Sequence, residues 1–110
     1  MGRVARTLSR FAPIEVKTIL KRGKRVLKTP TVDILISPKA QEHGRILVIT
    51  PKRIGKASKR NKVRRRIKAF FFEEKYYDRG YDCIAIIKKD GIEASFDDLK
   101  AIFATAFSKL

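Results

Sequence analysis

Residues 52–68 read KRIGKASKRNKVRRRIK, and ten of the seventeen are Lys or Arg with no acid among them. Phosphate is the natural ligand for such a row. Arg makes forked hydrogen bonds to phosphate oxygens, and Lys adds point charges. An apolar stripe separates this row from a disordered basic tail. At about 100° per residue, Val63, Ile67, Phe70 and Phe71 share one arc. Asn61, Lys62, Arg65 and Lys68 point away from it, and Arg60 and Arg64 flank it. The segment reads as an amphipathic helix with a cationic outer face. It is expected to start near Lys56–Ser58 and to end near Tyr77–Gly80, with Gly80 as the stop. A merely solvated face is the plain alternative, but such faces interleave both signs, and a one-sign row repels itself at i, i+4. Counting Arg45, residues 43–72 carry eleven positive charges and no negative ones, which leaves +5 of the net +16 for the other eighty residues.

Other chemistries find little support. His43 is the only histidine, and it reads as a solvated loop residue without an acid or nucleophile beside it. Gly55 stands alone, without the spacing of a phosphate-binding loop. No Cys/His cluster suggests zinc. Cys83 is the single cysteine; it lies in an apolar run and reads as a buried small hydrophobe. Glu73–Glu74 and Asp97–Asp98 read as helix-end charges. General acid–base work needs a positioned group of tuned pKa, so no catalytic residue is assigned.

The elements that position the basic row follow from periodicity. Residues 1–10 read as a flexible basic arm. Pro13 opens a short helix over 13–21, with Val16, Ile19 and Leu20 at i, i+3, i+4 and Gly23 as its cap. Residues 24–28 open a strand whose pairing Pro30 limits. Strands are expected over 31–37, over 45–50 with a possible run to Lys52, and over the apolar 81–88, the last being central. Asp90–Gly91 is a turn. Ser95 caps a final helix striped by Leu99, Ile102, Phe103, Ala106 and Phe107. Phe72, off the core arc, is expected to pack under a loop rather than to stack on RNA. The result is an α/β sandwich (α+β), a small four-stranded sheet packed with helices in the order α-β-β-β-α-β-α. The two apolar strands that flank the long helix should pair in parallel.

A chain of 110 residues with 44% hydrophobic residues fits one domain, 1–110, and a pI near 10.5 points to nucleic acid more than to an anionic membrane. No run is long enough to span a membrane, and MGRVARTLSRF lacks the apolar core of a signal peptide. A cytoplasmic protein is expected.

The central stretch resembles the protein component of bacterial ribonuclease P. That family has a motif of the form K-x-x-G-x-A-x-x-R-N-R-x-[KR]-R-x-x-[RK], matched here by Lys52, Gly55, Ala57, Arg60, Asn61, Arg64, Arg65 and Lys68. Lys62 departs from the third residue of Arg-Asn-Arg; it keeps the charge and loses a forked contact. The resemblance implies a left-handed β-α-β crossover, against the general rule. It implies a non-catalytic subunit of an endoribonuclease that removes the 5′ leader of precursor tRNA. Catalysis would belong to the RNA subunit, which would hold most of the Mg²⁺, and no further protein partner would be required. Ribonuclease P RNA would bind Lys56, Lys59, Arg60, Asn61, Lys62, Arg64, Arg65 and Lys68. The leader would lie between the first helix and the sheet, on Val16, Leu20, Thr31 and Ile34, with Lys52, Arg53 and Lys88 reaching phosphates. The family commonly lines this cleft with aromatics. This chain does not, so bases should be gripped weakly unless Phe11 substitutes. On the residues alone, Val16, Leu20 and Ile34 read as core.

Two other readings stand beside this one. A structural RNA-binding protein of the ribosomal type would share the charge but lack the Gly55–Ala57–Arg60–Asn61 spacing. A DNA-binding module would place the basic helix in a major groove, but here an apolar strand precedes it rather than a support helix.

Overall fold

The computed structural model describes residues 9–110, so all but the last two residues of the expected basic arm lie outside it. Among the described residues three helices and four strands follow the expected order: α1 Pro13–Arg22, β1 Lys24–Lys28, β2 Val32–Pro38, β3 Ile46–Ile49, α2 Ala57–Glu73, β4 Tyr81–Ile87 and α3 Phe96–Ser108. Short 3₁₀ turns at Lys52–Ile54, Tyr76–Asp78 and Lys89–Glu93 join them. Among the described residues no helix is long and apolar enough to cross a membrane.

The sheet order is β1-β2-β4-β3. β2 pairs antiparallel with both β1 and β4, whereas β3 pairs parallel with β4 across the α2 connection. β4 is therefore central, and its apolar run is buried on both faces. Local chemistry sets the element ends. Glu15 accepts the Ala12 N–H at 2.8 Å, and Pro13 occupies the first turn of α1. The Thr29 hydroxyl oxygen accepts the Val32 N–H at 2.9 Å and so turns the chain from β1 into β2. The Ser95 hydroxyl accepts the Asp98 N–H at 3.0 Å and caps α3.

The basic helix ends earlier than expected, at Glu73 rather than near Tyr77–Gly80. Its apolar stripe is exhausted at Phe71. Lys75 takes a left-handed φ of 55° and breaks the spiral. The break lets Tyr76 stack on Phe107, with ring centroids 4.2 Å apart. Tyr77 stacks on Phe72 at 5.6 Å, so Phe72 packs within the protein. Gly80, at φ 89°, then delivers the chain into β4.

The two faces of the sheet differ. On one, Val32, Ile34, Ile46, Val48, Ala85 and Ile87 pack under α2 and α3 in the main core. Val63, Ile67, Phe70 and Phe71 come from α2, and Leu99, Phe103, Ala106 and Phe107 from α3. The other face carries Leu35, Ile84 and Ile86 and, among the described residues, is covered by α1 and Phe11 alone. Cys83 belongs to the main core, where burial pushes its thiol pKa far up and leaves it inert.

Candidate nucleic-acid interface

The apolar stripe of α2 is spent on the core, so its remaining residues form a cationic outer surface. Ser58, Asn61, Arg64, Arg65 and Lys68 line one open concavity along it. Arg64 is pinned there from both sides. It donates to the Thr50 hydroxyl at 2.6 Å, at the end of β3, and also to the Asn61 side-chain oxygen. A planar guanidinium held this way keeps other N–H groups for an external acceptor. Arg60 donates from Nε to the Gly55 carbonyl at 3.2 Å and ties the entry loop to the helix. Lys62, Arg65 and Lys68 have no acidic partner among the described residues. Lys59 differs: its ammonium is paired with Glu93. Lys56 is the exposed residue at the helix start.

The face under α1 is ordered in rows across the strands. Asp82 of β4 pairs in register with Ser37 of β2, and Arg45 lies just before β3 at the same end. The next row is Leu35, Ile84 and Leu47, and the third is Asp33, Ile86 and Ile49. Ile19 of α1 packs on Leu35 and Ile84, with Val16 beside it. Beyond α1 the third row opens into a groove lined by Asp33, Arg53, Ile54, Ile86, Lys88 and Lys89, among others. This groove has an apolar floor with cations at its rim. Leu20, on α1, is exposed at 43%.

The first row is closed by a buried ionic cluster. Arg45 is fully buried. Its Nη2 donates to Glu15 Oε2 at 2.6 Å and to Asp82 Oδ2 at 2.8 Å, and its Nη1 donates to the Arg10 carbonyl at 2.7 Å. The ring of Phe11 lies 4.2 Å from the guanidinium carbon. Hydrogen bonding to Arg45, helped by the Ala12 N–H, lowers the Glu15 pKa from 4.5 to about 2. The cluster ties α1 and the chain before it to β4 and to the residue before β3. Arg45 is thus not one of the charges open to RNA, and the eleven-charge count of residues 43–72 overstates the exposed row by at least this one. Its partners lie 30 and 37 residues away in sequence, and nothing local announces them.

The proposed cleft residues are not all brought together. Arg53 and Lys88 meet at the groove. Lys52 is exposed in the same 3₁₀ turn as Arg53. Val16 is half-buried on the α1 face, and Thr31 is half-buried just before β2. Ile34 is a correction. It is fully buried in the main core under α2 and α3, because alternate strand residues point to opposite faces. Asp33 and Leu35 occupy the face assigned to it. Phe11 is not free to stand in for a missing cleft aromatic, since its ring covers Arg45. Sequence reasoning missed Asp33 and Lys89 at the groove and Ser58 on α2.

The Ribonuclease P family profile matches residues 12–110. The chain is 26% identical over 99 residues to the ribonuclease P protein component of Ureaplasma urealyticum serovar 10, covering 86% of this chain and 84% of that one. Its fold is similar to the RNase P protein of Staphylococcus aureus, with TM-score 0.80, 18% identity and coverage of 92% and 93% of the two chains. It is also similar to the RNase P protein of Thermotoga maritima, with TM-score 0.79, 20% identity and coverage of 93% and 96%.

Proposed function

This chain belongs to the ribonuclease P protein family, and we propose how its two cationic regions serve that tRNA-processing ribonucleoprotein. It is a protein subunit of ribonuclease P and works with an RNA subunit. The concave cationic face of α2 docks on that RNA. Asn61, Arg64, Arg65 and Lys68 make the central contacts, and Lys56, Arg60 and Lys62 extend them. Lys59 contributes less because Glu93 already neutralises it. The groove between α1 and the third row receives the 5′ leader of precursor tRNA. Lys52, Arg53 and Lys88 hold phosphates there, and Val16, Leu20 and Thr31 border the bases. Ile86, at the groove, takes the place given to Ile34.

Hydrolysis belongs to the RNA subunit. The chemistry Mg²⁺ would supply, when bound by that RNA, is an activated hydroxide and charge stabilisation at the leaving oxygen. Among the described residues no group of three or more His, Cys, Asp or Glu stands where it could hold a metal ion. The protein raises affinity for leader-bearing substrate. It needs no protein partner and works in the cytoplasm.

The observation that carries this reading is the pinned Arg64 beside unpaired Arg65 and Lys68 on one concave face. The test is precursor-tRNA cleavage by the cognate RNA at low Mg²⁺. Strong stimulation by the protein, with no cleavage by protein alone, is expected. Tight RNA binding without stimulation would overturn it. Replacing Arg65 and Lys68 together by Ala should lower the log–log salt slope of RNA binding by roughly 0.7–0.9 per lost contact. An unchanged slope would place the RNA elsewhere.

A further inference from the structure

Asp33 is the one acid among the cations of the groove, and its side chain is held by ionic contacts alone. Its side chain is 9% exposed. Lys88 Nζ lies 2.8 Å from Oδ1, yet off the hydrogen-bonding direction, so that buried oxygen accepts no hydrogen bond from any described residue. Arg25 Nη1 stands 3.8 Å from Oδ2, an ionic contact only. A carboxylate that accepts no regular hydrogen bond is costly to bury. It also repels phosphate, so a groove built only to hold a backbone would do better without it.

We propose that Asp33 reads the base of one leader nucleotide by accepting a hydrogen bond from its amino group. The proposal rests on the leader occupying this groove. Lys88 is the cover. Its side chain is 34% exposed, so it can swing outward to a leader phosphate. That exchange turns one ion pair into Lys88–phosphate and uncovers Oδ1 for the base. Adenine, cytosine and guanine each present an amino donor to a carboxylate. Uracil presents carbonyl oxygens and a single ring N–H, so Asp33 selects against uracil at this position. The apolar neighbours Ile86 and Ile54 exclude water from the contact and raise its discrimination. A carboxylate reader also suits a cleft poor in aromatics, because it supplies selectivity that stacking does not.

The experiment measures holoenzyme binding to precursor tRNAs that carry each of the four bases at each leader position, beside mature tRNA. Wild type should disfavour uracil at one position by about tenfold. Asp33→Asn should abolish that preference, because an amide both donates and accepts, and should leave binding of the RNA subunit unchanged. Lys88→Ala should weaken leader-bearing substrate for all bases and keep the selection against uracil. Four results would overturn the proposal. A wild type that prefers leader-bearing tRNA but is indifferent to its bases leaves Asp33 nothing to read. A uracil penalty that survives Asp33→Asn assigns the reading to another residue. A uniform loss across all bases in Asp33→Asn makes the residue a support for Lys88 alone. Equal binding of leader-bearing and mature tRNA would instead remove the leader from the groove and take the proposal with it.

Discussion

The two faces of the sheet are built from alternate residues of the same four strands, yet they are stabilised differently. The face under α2 and α3 is dry and aromatic, with Phe70 and Phe103 edge to face at 4.9 Å. The face under α1 is thinner. An apolar patch around Ile19, Leu35 and Ile84 lies between the Arg45 cluster at one end and the groove at the other. One helix cannot cover four strands, and what it leaves bare includes the groove beside Asp33 and Ile86. The main core thus lies on one face of the sheet and the proposed leader groove on the other, with the Arg45 cluster closing the far end of that second face.

The sharpest test of that division is Phe103→Ala. Phe103 is fully buried, and the rings around it are held by α2 and α3, so the void cannot collapse. A loss of about 3–5 kcal/mol is expected in denaturant unfolding, with RNA affinity unchanged for the protein that remains folded. A loss below about 1 kcal/mol, small for any core truncation, would mean that this face is not the main core.

Arg45→Met should come next and should fail in a different way. It strands Asp82, whose side chain is 2% exposed, and breaking such a buried pair costs about 3–5 kcal/mol. The lower end is expected, because Glu15 can turn to water. The diagnostic readout is selectivity. Preference for leader-bearing over mature tRNA should fall as α1 loosens, while the salt slope of RNA-subunit binding, set by α2, holds. Selectivity kept at wild-type level would detach the cluster from the groove.

The pH dependence of stability probes the same cluster more gently. Glu15 titrates at about 2 in the folded protein against 4.5 for an ordinary glutamate. A depressed carboxylate stabilises the fold fully above the unfolded value and loses that contribution as pH falls through the folded one. Glu15→Gln should therefore flatten the loss of stability between about pH 4.5 and 2. Curves of equal slope for the two proteins would mean that the ion pair does not form in solution.

The closed face was legible because two helices carried long apolar stripes at helical spacing, and Val63, Ile67, Phe103 and Phe107 could be assigned from period alone. The basic row of α2 was legible for the complementary reason: its cations fill the arc that the stripe leaves. The open face was not. In VDILIS nearly every residue is apolar, so alternation gives no parity, and resemblance to the family placed Ile34 in the cleft. The one usable signal was Asp33. A charged residue inside an apolar strand marks the face away from the core, which also places Leu35 outward and Ile34 inward. Arg45 gave no signal at all, since its role depends on Glu15 and Asp82, far away in sequence. The early end of α2 was equally hidden, because it comes with a left-handed Lys75 and a contact between Tyr76 and Phe107, which lie far apart in sequence.

The smallest expected effect is a gain, and it tests whether the open face is a ligand surface or only a thin core. Val16 is half-buried beside Ile19 at the edge of α1. Val16→Phe adds a ring where a base could stack, and stacking of one base on an aromatic contributes about 1–3 kcal/mol. Only the outer part of position 16 is open, so the low end applies. Leader-bearing tRNA should bind several-fold more tightly, and mature tRNA should not change. If position 16 were core, the larger side chain would overpack it, and overpacking costs about 1–3 kcal/mol. The same substitution would then lower the unfolding midpoint and leave both tRNA affinities alike. The sign of the change in stability and the split between the two ligands thus assign Val16 to one side of the comparison or the other.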